Sequence, residues 1–248
     1  MSSNDKVALK GDVLTAIALL SRIPVRADFS RGARASWAYP LAGAAIGIAA
    51  TIPTWAALTL GLQPMLSALI YIAVSIIASG AMHEDGLADC ADGFWGGWDR
   101  QRRLDIMKDS RIGAYGVITL CLSLAARWLA VGLILQSESG FESLIMVAIL
   151  SRATMPAIMT VLPQARQTGL SHAQGTPSHK TSALAVILAL LLAALLTGFS
   201  GLLLGMLAGV TTIACGAIAQ VKIGGQTGDV LGATQQIAEI TLLLAITI

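Results

Sequence analysis

The sequence predicts an all-α, polytopic integral membrane protein: a helical bundle of about seven transmembrane helices with a short N-terminal interfacial helix. Three observations predict it. Of the 248 residues, 55% are hydrophobic and only 12% are charged, and the mean hydropathy of +0.74 is far above the soluble average. Seven stretches approach the ~20 mostly apolar residues that a spanning helix needs. The connections between them divide by charge, as loops on opposite sides of a bilayer do.

The first apolar run, Val13–Leu20, is too short to span. Ser21-Arg22-Ile23-Pro24 follows it instead of a small-residue cleavage site, so no cleavable signal is expected. It reads as an interfacial or re-entrant helix, or alternatively as the core of a tilted span from Val7 to Val25. The expected spans are then Tyr39–Leu60, Met65–Met82, Gly113–Leu135, Ser143–Leu162, Ser182–Gly198, Gly201–Ala219 and the more polar Val230–Ile248. Gly61-Leu62-Gln63-Pro64 is a tight turn between two of them. Gly43/Gly47 and Gly201/Gly205 are small-residue pairs that let helices approach closely. No internal repeat and no second module stand out, so residues 1–248 read as one membrane-embedded domain.

The segment from Arg22 to Arg34 holds four arginines, and residues 99–111 hold four arginines and a lysine. Arg166, Lys180 and Lys222 mark two further basic loops, whereas 61–64, 136–142 and 199–200 contain no Lys or Arg. Seven spans starting at Tyr39 put every basic loop on one side. That side is the cytoplasm by the positive-inside rule, with the C-terminus outside. A net charge of +2 gives no reason to expect nucleic acid as a partner. Cys90, Cys121 and Cys215 have no metal or redox spacing and are expected to be reduced.

One window breaks the apolar pattern. His83-Glu84-Asp85-Gly86-Leu87-Ala88-Asp89-Cys90-Ala91-Asp92-Gly93 places Asp85, Asp89 and Asp92 at i, i+4 and i+7, in a single stripe of a helix. Carboxylates packed that closely repel unless a cation or proton lies between them. The stripe, with Glu84 beside it, therefore reads as a divalent metal site, and oxygen-only ligands favour Mg²⁺, with Mn²⁺ as the alternative. Gly86 and Gly93 lie in register with the stripe as candidate contacts to a cofactor, and Gly93, Gly96 and Gly97 end the helix. Asp105 and Asp109 repeat the i, i+4 spacing among Arg100, Arg102, Arg103, Lys108 and Arg111. Ordinary intrahelical ion pairing accounts for such a pattern. Alternatively Asp109 extends the metal site while Lys108 and Arg111 hold phosphate oxygens, the equipment of phosphoryl transfer.

Arg127 and Arg152 fall inside spans, where a charge needs a partner or a polar cavity. Glu239 is one carboxylate available to pair with them, and a phosphate-facing Arg152 is the sharper alternative. The loop Lys222–Ala233 opens the last span with a glycine-rich turn whose Gly228 backbone suits an anion, while Asp229 can reach a metal. It lacks the Lys-Ser/Thr of a P-loop. His83, His172 and His179 form no metal spacing. His83 reads as a satisfied histidine beside the stripe, and the other two sit in a polar loop suited to a flap.

These motifs resemble the cobalamin synthase family, the adenosylcobinamide-GDP ribazoletransferases. The resemblance runs through Arg22-Ile23-Pro24-Val25, Tyr39-Pro40-Leu41-Ala42-Gly43, the acidic element Asp85–Gly93, Met107–Gly116, Ser151-Arg152 and Thr227-Gly228-Asp229 with Gly232-Ala233. Tyr115 stands where members commonly carry Phe. The resemblance implies a Mg²⁺-dependent transferase of the cytoplasmic (inner) membrane, with its site facing the cytoplasm. It would join α-ribazole or its 5′-phosphate to adenosylcobinamide-GDP and release GMP, the lower-loop step of cobalamin assembly. Asp85, Asp89 and Asp92 would hold Mg²⁺, with Asp109 or Asp229 extending the site, and Lys108, Arg111 and Arg152 would neutralise charge. The expected partners are the two substrates and the lipid bilayer, with room for a homo-oligomer or contacts to other corrinoid-pathway enzymes. The aspartate spacing is also similar to that of CDP-alcohol phosphotransferases, but Gly96-Gly97 replaces that family's Ala-Arg and the interval to the second pair is shorter. A cation transporter would place its acids near mid-bilayer rather than beside a basic segment.

Overall fold

The computed structural model describes residues 8–248. Its helices are α1 (Leu9–Leu20), α2 (Tyr39–Thr59), α3 (Pro64–Ser79), α4 (Met82–Gly96), α5 (Arg100–Ile106), α6 (Ala114–Ile134), α7 (Gly140–Val161), α8 (Leu170–Gln174), α9 (His179–Thr197), α10 (Phe199–Ile223) and α11 (Gly228–Ile246). A kinked 3₁₀ segment, Phe29–Ala38, leads into α2. Among the described residues there is no strand, and the all-α expectation holds.

Among the described residues, six helices are long and apolar enough to cross a membrane, and a seventh crossing is formed if α3 and α4 count as one broken span. The central one is α7. Some 78% of its most apolar window is buried, against 22% for α9 and 28% for α10, because α2, α9, α10 and α11 all pack around it. On α2, Gly43 and Gly47 form the contact with α7. A Cβ on Gly47 would lie 3.1 Å from the Ala148 methyl and 3.3 Å from the Ile145 backbone, so the small-residue pair lets the helices close. The peripheral helices turn outward Leu122, Ile187, Leu191, Leu195, Ile213 and Val221, an apolar girdle suited to lipid and far too large for water.

The helix α1 ends at Leu20, and no helix covers residues 21–28. The tilted span to Val25 therefore does not form, and Val7, its other end, lies outside the described residues. Asp12 of α1 is buried and takes hydrogen bonds from Arg31 and from the Trp37 indole at 2.8 Å, which pins α1 to the 3₁₀ segment. The cysteines are free thiols.

The main departure from expectation is at Met65–Met82. The span stops at Ser79, and α4 leaves at 87° to α3. Gly80 (φ 67°) and Ala81 (φ 57°) are both left-handed. Two such residues in succession break the helix and redirect the chain. Gly80 adopts this conformation at no steric cost, whereas Ala81 stores roughly 1 kcal/mol. At 1.5 Å per residue, α3 alone is about 24 Å long, short of the ~30 Å hydrocarbon layer. The acidic window is thus a separate helix, packed along α11 and α6.

Candidate active site

The acidic helix is docked by its glycines. A Cβ on Gly86 would lie 2.7 Å from the Asp229 carbonyl oxygen and 2.9 Å from its Cα, and one on Gly232 would lie 3.1 Å from the His83 Cα. Only without those Cβ atoms can α4 and α11 come this close. The contact sets Asp229 beside the stripe, where Asp89 feels the charges of Asp229, Asp85 and Asp92, and Asp229 that of Asp85. Gly86 therefore serves the helix contact. Gly93 does the same against Met107 and Arg103 of the following segment, so neither glycine offers backbone to a cofactor. Gly228 does line a cavity, with open space on its Cβ side.

Asp229 is held by two side chains, both at Oδ2. Thr227 caps α11 by accepting from the Val230 N–H at 3.3 Å, and its hydroxyl donates to Asp229 Oδ2 at 3.1 Å. Arg166 reaches the same oxygen with Nη2 at 3.1 Å. The loop carrying Arg166 is held in turn by a short parallel bridge. Ala165 N–H donates to the Gln226 carbonyl at 2.9 Å, and Gln226 N–H to the Pro163 carbonyl at 2.8 Å. Arg100 ties the bridge and the end of α10 to α5, donating to the Ala165 and Ile223 carbonyls at 2.8 and 2.6 Å.

These groups meet at one end of the bundle. A cavity of about 250 Å³ is lined by Asp85, Asp229, Arg166, His83 and Gly228. A neighbouring cavity of about 610 Å³ contains Arg22 and shares Asp85 with it. Arg166 was expected only as a loop charge. It is the sole charged residue of 163–170, which is the one signal that could have singled it out.

Other expected residues lie elsewhere. Asp92 is buried, and both its oxygens are engaged, Oδ2 by Gly113 N–H at 2.7 Å and Oδ1 by Gly116 N–H at 2.9 Å. It caps α6, where a carboxylate meets the positive end of the helix dipole. Glu84 accepts from Arg127 at 2.8 Å and from Gln236 at 3.3 Å, so it belongs to the bundle interior and does not join the stripe. Arg152 faces Glu239 at 3.0 Å, and Arg127 reaches the other oxygen of Glu239 at 3.0 Å. Gln235 completes this buried set with bonds to Glu239 and Ser151. Arg152 is therefore in an ion pair, one of the two readings of it, and it is not among the residues lining the cavity. Two charges of each sign balance there, as burial in a bilayer requires.

Asp109 and Arg111 pair with each other at 2.7 Å on an exposed loop, and Lys108 is exposed beside them. With Asp92, Asp105 and Arg102, Asp109 and Arg111 line a separate cavity of about 550 Å³. Arg103 is spent on the Gly97 and Lys222 carbonyls at 3.0 and 2.9 Å. His172 and His179 are exposed. Among the described residues no three His, Cys, Asp or Glu side chains converge on a metal-sized point. The three-carboxylate cage expected from the stripe is therefore not assembled by protein groups alone, since Asp92 is turned to α6.

Fold and site define a class: a multi-span helical membrane protein with opposed carboxylates and an arginine over a cavity at one end of its bundle. The model of the family described as cobalamin-5-phosphate synthase matches residues 12–247. Proteins named adenosylcobinamide-GDP ribazoletransferase are similar over most of their length. That of Azorhizobium caulinodans is 42% identical over 96% of this chain and 95% of its own. That of Bradyrhizobium diazoefficiens is 42% identical over 86% and 82%, and that of Mesorhizobium japonicum 39% over 94% and 91%. The chain belongs to the cobalamin-5-phosphate synthase family. No solved structure matches it.

Proposed function

We propose that this chain joins α-ribazole, or its 5′-phosphate, to adenosylcobinamide-GDP and releases GMP. A ribose hydroxyl oxygen bonds to the phosphorus next to the corrinoid arm, the anhydride P–O bond breaks, GMP departs with that electron pair, and the hydroxyl proton passes to solvent. The observation that carries this reading is the convergence of Asp85, Asp229 and Arg166 on one cavity. Asp89 stands one turn along α4 and is coupled to them electrostatically.

Mg²⁺ fits this donor set, with Mn²⁺ as the alternative. Carboxylates from two helices, offset by one arginine, leave excess negative charge, and hard cations are commonly held by one or two carboxylates together with substrate phosphates. One or two of Asp85, Asp89 and Asp229, together with substrate phosphates, would hold the ion, which when bound neutralises charge on the pyrophosphate. The protein's own part is positioning. Arg166, fixed by Asp229 and the Gln226 bridge, presents a planar fork to phosphate oxygens, and the Gly86 contact keeps the two acidic helices in register. The distribution of Lys and Arg among the loops supports a site on the cytoplasmic face of the inner membrane.

The test is a purified-enzyme assay with adenosylcobinamide-GDP and α-ribazole, following GMP with and without Mg²⁺. GMP and cobalamin product should appear together and only with the metal. No GMP under either condition would overturn the proposal.

A further inference from the structure

A further cavity, of about 600 Å³, takes Leu87, Ala91 and Phe94 of α4 into its wall. These keep the i, i+4, i+7 spacing of the acids but start two residues later, ~200° around the helix. The acidic helix thus turns its carboxylates to one side and this groove to the other. The groove runs from Tyr115 to Ala126 on α6 and from Val230 to Ile240 on α11, about 16 and 15 Å at 1.5 Å per residue. That is half of the ~30 Å hydrocarbon layer, the depth of one leaflet. Among the described residues no charged side chain lines it. Trp95 and Tyr115, 57% and 52% exposed, stand at its head. Lys222 Nζ lies 5.0 Å from the centre of the Trp95 ring and donates to the Phe94 carbonyl at 3.1 Å. Arg103 donates to the Lys222 carbonyl at 2.9 Å and brings a second cation to the same corner. Half-exposed aromatics beside a lysine suit a membrane–water interface, where the rings sit at headgroup level.

We propose that this groove is a phospholipid site, with one acyl chain along α6 and α11 and the phosphate on Lys222. Depth and lining select the chain, since the wall offers apolar contact over one leaflet's length and favours hydrocarbon over water. Charge selects the headgroup. Lys222 spends one N–H on Phe94 and keeps two donors for phosphate oxygens, and a cation at this level attracts anionic lipid. Ser123 Oγ is buried in the α6 wall without a partner, eight residues and about 12 Å beyond Tyr115. A hydrocarbon chain gives it no bond, whereas an occupant with a polar group deep in the groove would use it. Ser123 therefore separates a lipid from a polar-headed ligand. The chain so placed packs against the back of the helix that carries Asp85 and Asp89.

The probes are phosphatidylglycerol and a diacylglycerol with the same chains, titrated onto the full, delipidated chain in detergent and read by native mass spectrometry. Wild type should hold phosphatidylglycerol the more tightly. Lys222→Gln, whose amide can still donate to the Phe94 carbonyl, should weaken phosphatidylglycerol about fivefold and leave diacylglycerol as it was. Thr119→Trp, at a half-buried position on the groove wall, should weaken both by about tenfold or more. Ser123→Ala should weaken neither. Lipid-free Tm identifies the variants that fold, and Lys222→Gln decides the matter if Thr119→Trp does not. An unchanged preference for phosphatidylglycerol in Lys222→Gln overturns the site. So does undiminished lipid binding in a folded Thr119→Trp, or lipid lost on Ser123→Ala.

Discussion

Gly86 lies so close to Asp229 that a methyl group on it would sit 2.7 Å from the Asp229 carbonyl oxygen. The acidic helix and the last span are held in register by the absence of one side chain. Gly86→Ala should push α4 off α11, at about 1–3 kcal/mol of stability. Displacement of reacting groups by ~1 Å can cost about a hundredfold in rate, so turnover should fall much further than Tm. Wild-type kcat in a folded Gly86→Ala protein would show that the contact does not position the site.

Asp92→Asn separates capping from ligation. An amide can still accept from one of the two N–H groups of Gly113 and Gly116, but it turns a donor toward the other. Thermal unfolding should show a loss of about 1–3 kcal/mol, with the Mg²⁺ concentration for half-maximal activity unchanged. An increased metal requirement at unchanged stability would restore Asp92 to the metal site.

The stripe of acids, the spans and Glu239 as a partner for buried arginine are legible in the sequence, because periodicity and the cost of a lone charge in lipid act locally. The bend before α4 is not. It depends on Ala81, a strong helix former held left-handed, and nothing local announces that. Asp92 belongs to the stripe by spacing and leaves it by its hydrogen bonds, since the helix start it caps lies twenty-one residues further on. Arg166 has no periodic signature and acquires its place only through the Gln226 bridge.

Because Glu239 serves two arginines, Glu239→Leu should strand both Arg127 and Arg152 and cost roughly 3–5 kcal/mol or prevent insertion. Adding Arg152→Met should restore much of the loss, since Arg127 keeps Glu84 at 2.8 Å. Membrane yield and Tm in detergent measure this. No rescue in the double variant would contradict the shared network.

Arg111, through its side chain and its backbone N–H, holds the Asp109 carboxyl down at about 2. A carboxyl depressed on folding contributes stability above its ordinary pKa of 3.8 and loses it as pH falls through about 2. Asp109 is therefore charged across roughly pH 5–8, and Asp109→Asn should leave the acid limb of the rate profile where it is. A shifted limb would place Asp109 among the groups that titrate during turnover.

We propose that Asp229, seated by Arg166 and Thr227 across from Asp85 and Asp89, belongs to the reacting site. The direct measurement is GMP release by Asp229→Asn at saturating substrates and limiting Mg²⁺, with folding checked by Tm. The expected result is a folded protein whose turnover drops by about a hundredfold or more. Wild-type turnover at limiting Mg²⁺ would contradict it.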